Sequence, residues 1–457
     1  MRWWRSFLDT RLRRLLRDSS WMLVATAISA ALGIVQVILV TRLLGPDRYG
    51  QLTLIIAISA TIRQLVGIRT WEWAMKEFAI AYTRRDPAYA ADVVRRGYLS
   101  GLVVNLIALA VVVGGAGFAA DRIVHDRTAA LLVIGYGAVL LINWTYDTSF
   151  AVLRVVGRFR FLAVQQVVQS IVRIVVTGGS VILWQRLDTT VGAYIVVEVI
   201  ASLWLGLAAS ATFRGELGSV WWRTPRGPRR SGQMARLVAI SWLIDTLKFT
   251  AGRVDLLVLG AFRSPFAVAN YQAALNFLDV AQRVAQPITM VAFADLAKMG
   301  AAGQGRELLR VVGKLSLLAL FVMTPVCTAL LVVAPWLCHL VYGVEYPDAA
   351  LLLQILAFSL LWLTGLWMQS SFISVGKPGW GLEVVVIMTT VKVGLLFALT
   401  PSYGGVGVAI ANLAYCLSMP LLIPMYLARL RRWIASPEYE QRVTPPAVEA
   451  PVVQATG

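Results

Sequence analysis

Cysteine and histidine are scarce in this sequence of 457 residues, which holds three of the first and two of the second. Cys327, Cys338 and Cys416 all fall in apolar segments and show no paired spacing. An odd number of such thiols predicts small core residues and excludes a disulfide framework. Without a Cys/His cluster at metal-ligand spacing, we expect no zinc site, no other metal and no cofactor.

Charged residues make up only 14% of the chain, whereas 58% is hydrophobic and the mean hydropathy is +0.71. Each of four uncharged runs exceeds the roughly 20 residues that a helix needs to cross a bilayer. These runs do not alternate polar with apolar residues, which excludes a membrane β-barrel. The four runs cover residues 19–41, 97–120, 315–344 and 349–376. The sequence therefore predicts an all-α integral membrane protein with about 12 transmembrane helices.

Acidic residues are outnumbered: 24 Asp and Glu face 42 Lys and Arg, for a net charge of +18. When the N-terminus is placed inside, 30 of the 42 cations fall on the cytoplasmic side and six at the outer ends. This asymmetry is typical of cytoplasmic loops and predicts that both termini are cytoplasmic in a multi-pass protein. Because the cations lie mostly in the short loops between spans, they also argue against a nucleic-acid partner.

The spans divide into two groups of six around a basic segment at the middle of the chain. Residues 1–19 have an amphipathic pattern and are expected to lie on the cytoplasmic membrane surface, followed by a six-helix bundle over 20–213. Residues 214–236 form a basic cytoplasmic linker, and 237–430 a second six-helix bundle. Polar, proline-bearing residues 431–457 predict a disordered cytoplasmic tail.

The two bundles carry matching sequence. Arg173 in the first has a counterpart in Lys392, 219 residues later, and each follows a Val-Gly-basic motif in which the glycines are also 219 apart. Four pairs of anchors recur at offsets of 215 to 222: Leu44-Gly45 with Leu259-Gly260, Tyr49-Gly50-Gln51 with Asn270-Tyr271-Gln272, Val156-Gly157-Arg158 with Val375-Gly376-Lys377, and Val191-Gly192 with Val406-Gly407. Both copies start on the same side, which predicts a parallel repeat with a substrate site at its interface.

Charges inside the spans need a reason, since each costs about 2.5 to 3.5 kcal/mol at a helix centre. For Arg173 and Lys392 we favour a cavity wall, where repeat symmetry would place them opposite each other, although partners on other helices are an alternative. Lys248 with Asp245 and Arg283 with Asp279 have helix-face spacing that also suits local salt bridges. The candidate substrate-binding cations are Arg173, Lys392, Arg63, Lys248, Arg253 and Arg283.

Acidic residues within the spans have two interpretations. They are either partners of these cations on other helices or sites for a coupling proton or sodium ion. The ion-coupling candidates are Asp147, Glu198, Asp279 and Glu383.

Three segments carry a family resemblance: TRLLGPDRYGQL after the first span, GRVDLLVLGAFRSPFAVANYQAAL at the start of the second bundle, and residues 372–418, which include Tyr403-Gly404-Gly405-Val406-Gly407. They resemble the polysaccharide-exporter branch of the multidrug/oligosaccharidyl-lipid/polysaccharide (MOP) exporter superfamily. The similarity runs from about residue 19 to 430.

The resemblance implies a Wzx-type flippase of the bacterial inner membrane, with two six-helix bundles in a V. Its substrate would be a polyprenyl-diphosphate-linked oligosaccharide for O-antigen, capsule or exopolysaccharide synthesis. The implied partners are membrane lipids, a polysaccharide polymerase and chain-length machinery.

Two alternatives stay open. A drug or metabolite exporter similar to the MATE transporters would share the fold, and the six basic and six acidic residues within the spans do not decide between them. A membrane-embedded glycan polymerase or ligase would need a sizeable outer loop, and the longest predicted one covers only about residues 120–128. We therefore expect a transporter and not an enzyme.

Overall fold

The structure is a computed structural model in which helices are the regular secondary structure of the residues that it describes. These residues are 10–67, 70–217, 243, 246–247, 254–280, 296, 299, 303–375 and 377–439. Most of the predicted linker and the tail beyond residue 439 lie outside them, as do Lys248, Arg253, Arg283 and Asp245.

Seven helices form the N-terminal half. They are α1 (Thr10–Leu44), α2 (Pro46–Val66), α3 (Thr70–Thr83), α4 (Pro87–Val124), α5 (Arg127–Val155), α6 (Phe159–Trp184) and α7 (Leu187–Leu217). The short α3 was not predicted as a separate helix. In addition, α1 is continuous across the predicted boundary at residue 20, and α4 begins ten residues before the predicted span. Helices thus continue past the apolar segment that marked each span.

Six helices are described in the C-terminal half: α8 (254–262), α9 (265–280), α10 (Gly305–Tyr342), α11 (349–374, with the 3-10 segment Phe358–Gly365 in the middle), α12 (Pro378–Tyr403) and α13 (Gly405–Ile434). Across both halves, nine of the helical segments that the structure describes are long and apolar enough to cross a membrane. This confirms the predicted all-α membrane fold.

The turn between α1 and α2 explains part of the LLGPDRYG motif. Gly45 has φ = 77°, a left-handed conformation that favours glycine, and Pro46 occupies the first turn of α2. A Cβ atom on Gly50 would lie 1.9 Å from the carbonyl oxygen of Pro265. Glycine at position 50 therefore lets α2 pack directly on the α8–α9 turn of the other half.

The two halves share one hydrophobic core at the end of the molecule that contains this turn, which we call the closed end. Its core joins residues such as Leu54 and Val112 of the first half to Leu259 and Leu352 of the second. Hydrogen bonds cross the boundary as well. Arg42 Nε donates to the carbonyl oxygen of Val341 at 2.9 Å, and the Tyr346 hydroxyl donates to that of Thr41 at 3.2 Å.

At the opposite end, which we call the open end, the hydrophobic clusters of the described residues stay within one half. One cluster around Phe78 and Phe213 belongs to the first half. Two others, around Leu308 and Phe372, belong to the second. In the part of the chain that the structure describes, the halves therefore share a hydrophobic core at one end and not at the other.

Candidate functional site

A cavity of about 340 Å³ lies between the two halves. Helices α1 and α6 supply one wall, and α9 with the end of α10 supplies the other. Its lining includes Ser29, Gln36, Gln166, Gln169, Ser170, Arg173, Asn276, Asp279, Val341 and Tyr342. This volume lies at the lower end of the range of about 300–1,000 Å³ for ligand pockets. The interface between the repeats is also where transporters of this architecture bind substrate.

Among the described residues, Arg173 is the cation in the lining of this cavity. Its guanidinium donates a hydrogen bond to Glu198 of α7, with 2.8 Å between Nη2 and Oε1. The side chains of Arg173 and Glu198 are 35% and 23% exposed. Nε of Arg173 is buried and makes no hydrogen bond within the described residues. Within the described residues, the guanidinium is therefore held by one carboxylate through Nη2. The buried Nε does not reach a ligand, so the remaining N–H groups are the donors that a ligand could use.

The local backbone helps to position Arg173. The α-helical hydrogen bonding of α6 is interrupted directly after it by a π-helical segment, Ile174–Gly178. The Thr177 hydroxyl donates to the carbonyl oxygen of Arg173 at 2.6 Å, and Gln36 of α1 donates to Thr177 at 3.3 Å. Single-turn π segments occur often at functional sites. This irregular turn therefore connects Arg173 to α1, the other helix of the same cavity wall.

Polar groups also line the wall that belongs to the second half. Asn276 Nδ2 donates to the hydroxyl of Tyr49 at 3.1 Å, a hydrogen bond that crosses between the halves. Gln272 donates to the side-chain oxygen of Asn276 at 2.7 Å. Asp279, one helical turn beyond Asn276, adds a carboxylate to the lining. In the part of the lining that the structure describes, the cavity thus combines one cation, one carboxylate and several amides.

Lys392 does not lie in this cavity, contrary to the expectation that it would face Arg173 across the repeat axis. Its side chain is 0% exposed, and Nζ lies 2.8 Å from Asp255 Oδ2 of α8. Nζ also donates to Asn412 of α13 at 2.8 Å, and the Tyr271 hydroxyl donates to Asp255 at 2.8 Å. The physical reason is that a buried ammonium needs a carboxylate, and α8 supplies one.

Two other predicted residues pair between helices. Arg63 of α2 lies 3.0 Å from Asp147 of α5, and their side chains are 34% and 37% exposed. Neither belongs to the lining of the cavity. Asp147 and Glu198 thus pair with membrane cations, and their role in ion coupling stays a prediction.

Glu383 takes a different partner from those considered. Its carboxylate accepts a hydrogen bond from Arg429 of α13 at 2.8 Å, between side chains that are 47% and 46% exposed. Lys248, Arg253 and Arg283 fall outside the described residues, so their predicted roles stay predictions.

The cavity also contains residues that the charge analysis did not select. Ser29, Gly33 and Gln36 recur on one face of α1 at spacings of four and three, and Gln166, Gln169 and Arg173 do the same on α6. Such a polar or small stripe in an apolar span is a visible signal. It would have identified both helix faces without knowledge of the fold.

Comparisons with known proteins give the family and the fold. The family model described as polysaccharide biosynthesis protein matches residues 15–299. The inner membrane protein YghQ of Escherichia coli (strain K12) is 23% identical over 363 residues, which cover 75% of this chain and 96% of that protein.

Solved structures of MOP-superfamily transporters are similar in fold. A multidrug resistance MATE family transporter matches in its inward-facing conformation with a TM-score of 0.65 at 16% identity, over 88% of this chain and 96% of that one. An outward-facing MATE family transporter matches with a TM-score of 0.64 at 14% identity, over 92% and 96%. A MOP superfamily transporter from Pyrococcus furiosus matches with a TM-score of 0.61 at 16% identity, over 92% of this chain and 96% of that one. For that transporter, a reverse polarity of the binding pocket is said to suggest a different function.

Proposed function

This chain belongs to the polysaccharide biosynthesis protein family, and from that membership we propose that it flips a polyprenyl-diphosphate-linked oligosaccharide from the cytoplasmic to the outer leaflet. The glycan would then be used to build a surface polysaccharide such as O-antigen, capsule or exopolysaccharide. The relative named as an inner membrane protein supports placement in that membrane. In this proposal both termini are cytoplasmic, so the closed end is the outer end.

The environment of Arg173 carries the proposal. A guanidinium binds phosphate oxygens through paired N–H donors, and Arg173 presents this group to the cavity between the halves. Glu198 balances its charge in the absence of substrate. A diphosphate would compete with Glu198 for the same donors, since both are anionic acceptors. Binding and release then exchange one charge-assisted hydrogen bond for another, which keeps the cation neutralised at each stage.

The arrangement of the two halves suits alternating access. In this state they share a core at the closed end, and the diphosphate and first sugars enter from the open end while the lipid tail stays in the bilayer. Rocking of the halves would separate the closed end and release the headgroup on the outer side. Because the two repeats are parallel, the motion is a rotation of one bundle against the other.

The energy for this motion is proposed to come from a gradient. The sequence contains no Gly-rich loop ending in Lys-Ser or Lys-Thr of the kind that binds nucleotide phosphates. A membrane potential that is negative inside contributes about 2.3 kcal/mol per elementary charge per 100 mV to outward movement of an anion. A diphosphate therefore gains from the potential directly.

Export of an organic cation is the second candidate function. Asp279 places a carboxylate in the wall opposite Arg173, and the fold is shared with MATE family transporters. A cationic drug would pair with Asp279, whereas a diphosphate would pair with Arg173. The two functions thus depend on opposite charges in one cavity.

A flipping assay in proteoliposomes separates these functions. The full chain is reconstituted with a fluorescent polyprenyl-diphosphate-linked glycan, and the fraction accessible to external reducing agent is followed with and without a potential. We expect the glycan lipid to move outward faster when the membrane potential is negative inside. Movement of a cationic dye without movement of the glycan lipid would overturn the proposal and favour the drug exporter. Arg173→Lys serves as a control variant, since it keeps the charge but not the paired donors.

A further inference from the structure

A second polar cavity, of about 660 Å³, lies at the open end of the C-terminal half, away from the cavity of Arg173. It is a groove between the beginning of α10 and the end of α13, and its described lining comes from these two helices and Ala435, which directly follows α13. Arg306, Arg310 and Lys314 contribute from α10, and Arg431 from α13. We call this set the basic groove.

The spacing of the α10 residues concentrates charge on one face. Positions 306, 310 and 314 are separated by four residues each, so their side chains stack along one side of the helix. All three are exposed. Like charges at this spacing repel one another. An anion bound among them would remove this repulsion.

The described residues do not neutralise the groove. Within the part of the chain that the structure describes, no carboxylate forms a salt bridge with any of its four cations. The acid next to them in sequence, Glu307, is one position from Arg306 and so points about 100° away around α10. The groove therefore carries an excess of positive charge where α10 and α13 meet.

The groove is held open by tight packing of the two helix ends. A Cβ atom on Gly305 would lie 2.6 Å from Cγ2 of Ile434, so the backbone of α10 packs directly against the Ile434 side chain there. Leu308, Val312 and Leu430 are buried in one cluster behind the groove. Because this packing fixes α10 against α13, the cations are positioned before any ligand arrives.

The same face of α10 becomes apolar immediately beyond the cations. Leu317 and Phe321 continue the stripe of positions 306, 310 and 314, and they are 68% and 77% exposed. Phe321 lies about 10 Å along the helix from Lys314 at 1.5 Å per residue. A ligand on this face thus meets positive charge at one end and exposed hydrocarbon at the other.

We propose that the basic groove binds an anionic phospholipid, with the phosphate among Arg306, Arg310, Lys314 and Arg431 and an acyl chain along Leu317 and Phe321. Basic pockets between transmembrane helices bind such headgroups. The apolar continuation favours a lipid over a soluble phosphate. The absence of N-terminal-half residues from the described lining favours a resident phospholipid over the transported one, which must reach the cavity between the halves.

Native mass spectrometry of the full chain in detergent tests this proposal, with dioleoyl phosphatidylglycerol as the probe and dioleoyl phosphatidylcholine as the neutral lipid. We expect one phosphatidylglycerol to bind with at least about a hundredfold preference over phosphatidylcholine. Since each surface cation contributes about 1 kcal/mol of attraction, the triple variant Arg306→Gln/Arg310→Gln/Lys314→Gln should lose about a hundredfold in affinity.

A matched triple variant controls for the loss of net charge. Arg84, Arg158 and Arg214 are exposed and lie at the same end of the molecule but outside the groove. Changing these three to Gln should leave the affinity for phosphatidylglycerol within about twofold, because they lie off the groove and act only through screened surface charge. Phe321→Ala tests the acyl contact without removing charge, and it should weaken lipid binding severalfold at unchanged unfolding temperature.

Three results would overturn the proposal. The first is equal loss of affinity in both triple variants, which would make the attraction a general surface effect. The second is displacement of the lipid by inorganic phosphate at the same concentration as by phosphatidylglycerol, which would identify a soluble-anion site. The third is tighter binding of a polyprenyl diphosphate than of phosphatidylglycerol that is lost in the groove variant, which would assign the groove to the transported lipid.

Discussion

Arg173 and Lys392 occupy the same position of the repeat but have different surroundings. Arg173 borders the cavity between the halves, with its side chain 35% exposed and one carboxylate partner. Lys392 is fully buried, with hydrogen bonds to Asp255 and Asn412. One repeat copy therefore presents its cation to a cavity, whereas the other uses it to join three helices.

The difference follows from where each half carries its acid. With the offset of 215 that relates Gly45 to Gly260, Asp255 is equivalent to Val40 in α1. With the same offset for Val191 and Val406, Glu198 is equivalent to Leu413 in α13. The acid thus lies on the last helix of the first repeat, α7, and on the first described helix of the second, α8.

The different positions of the two acids explain how a symmetric repeat acquires an asymmetric cavity. In the second repeat, Asp255 on α8 pairs with Lys392 and holds the lysine inside the bundle. In the first repeat, Glu198 on α7 pairs with Arg173 and leaves that guanidinium at the cavity surface. Repeat symmetry in sequence therefore predicts equivalent backbone positions but not equivalent roles.

Removing the buried lysine should have the largest effect on stability. Lys392→Met leaves the Asp255 carboxylate buried without its cation, and breaking such a pair lowers the free energy of unfolding by about 3 to 5 kcal/mol. Thermal unfolding of the purified protein in detergent measures this loss. The double variant Lys392→Met/Asp255→Asn should recover most of it, because no charge is left uncompensated. Unfolding of the single variant at the temperature of the parent would show that the pair is not structural.

Changing the partner of the cavity cation should affect binding more than stability. Glu198→Gln removes the carboxylate that competes with a diphosphate for Arg173, so affinity for a polyprenyl diphosphate should rise about fivefold, equivalent to about 1 kcal/mol for one hydrogen bond. Fluorescence titration in detergent micelles provides the measurement. A fall in affinity would mean that Glu198 orients Arg173 instead of competing for it.

A third pair, Arg63 with Asp147, joins α2 to α5 outside the cavity. Arg63 and Asp147 are about one-third exposed, so Arg63→Gln should lower the free energy of unfolding by less than about 1 kcal/mol. Chemical denaturation followed by tryptophan fluorescence would detect a larger change. A loss comparable to that of Lys392→Met would place Arg63 with the structural cations.

The most exposed pair should matter least. Arg429 and Glu383 are nearly half exposed, and such pairs contribute about 0 to 0.5 kcal/mol after screening by solvent and salt. Arg429→Gln should therefore leave unfolding temperature and flipping rate within error of the parent. A clear loss of flipping with unchanged stability would give Glu383 a role in ion coupling.

The sequence predicted the fold well because apolar length and repeat anchors are local signals. The cost of a charge in the membrane also singled out Arg173, which lies in the cavity lining. The sequence could not show that Asp255 pairs with Lys392, because the two are 137 positions apart and the pairing depends on how α8, α12 and α13 pack. The close approach of Gly50 to Pro265 is equally non-local. Contacts between helices thus decided which predicted cations reach the cavity.

The apolar pattern of the sequence also predicted the positions of helix ends poorly. The predicted spans ended where charge began, but α4 and α10 each begin about ten residues earlier, at Pro87 and Gly305. Charged residues are good helix formers once they leave the hydrocarbon. The α10 cations of the basic groove lie in one of these extensions. The apolar pattern of the spans therefore indicated only that these cations belong to a loop.

The central claim is that Arg173 contacts the anionic headgroup whereas Lys392 supports the fold. Equilibrium binding of a polyprenyl diphosphate to three proteins tests it most directly: the parent, Arg173→Gln and Lys392→Met/Asp255→Asn. Since a charge-assisted hydrogen bond contributes about 1.5 to 3 kcal/mol, Arg173→Gln should weaken binding by at least about tenfold with unchanged unfolding temperature. The double variant, which lacks only the buried pair, should bind like the parent. Parent-like binding by Arg173→Gln, together with loss of binding in the double variant, would contradict the account.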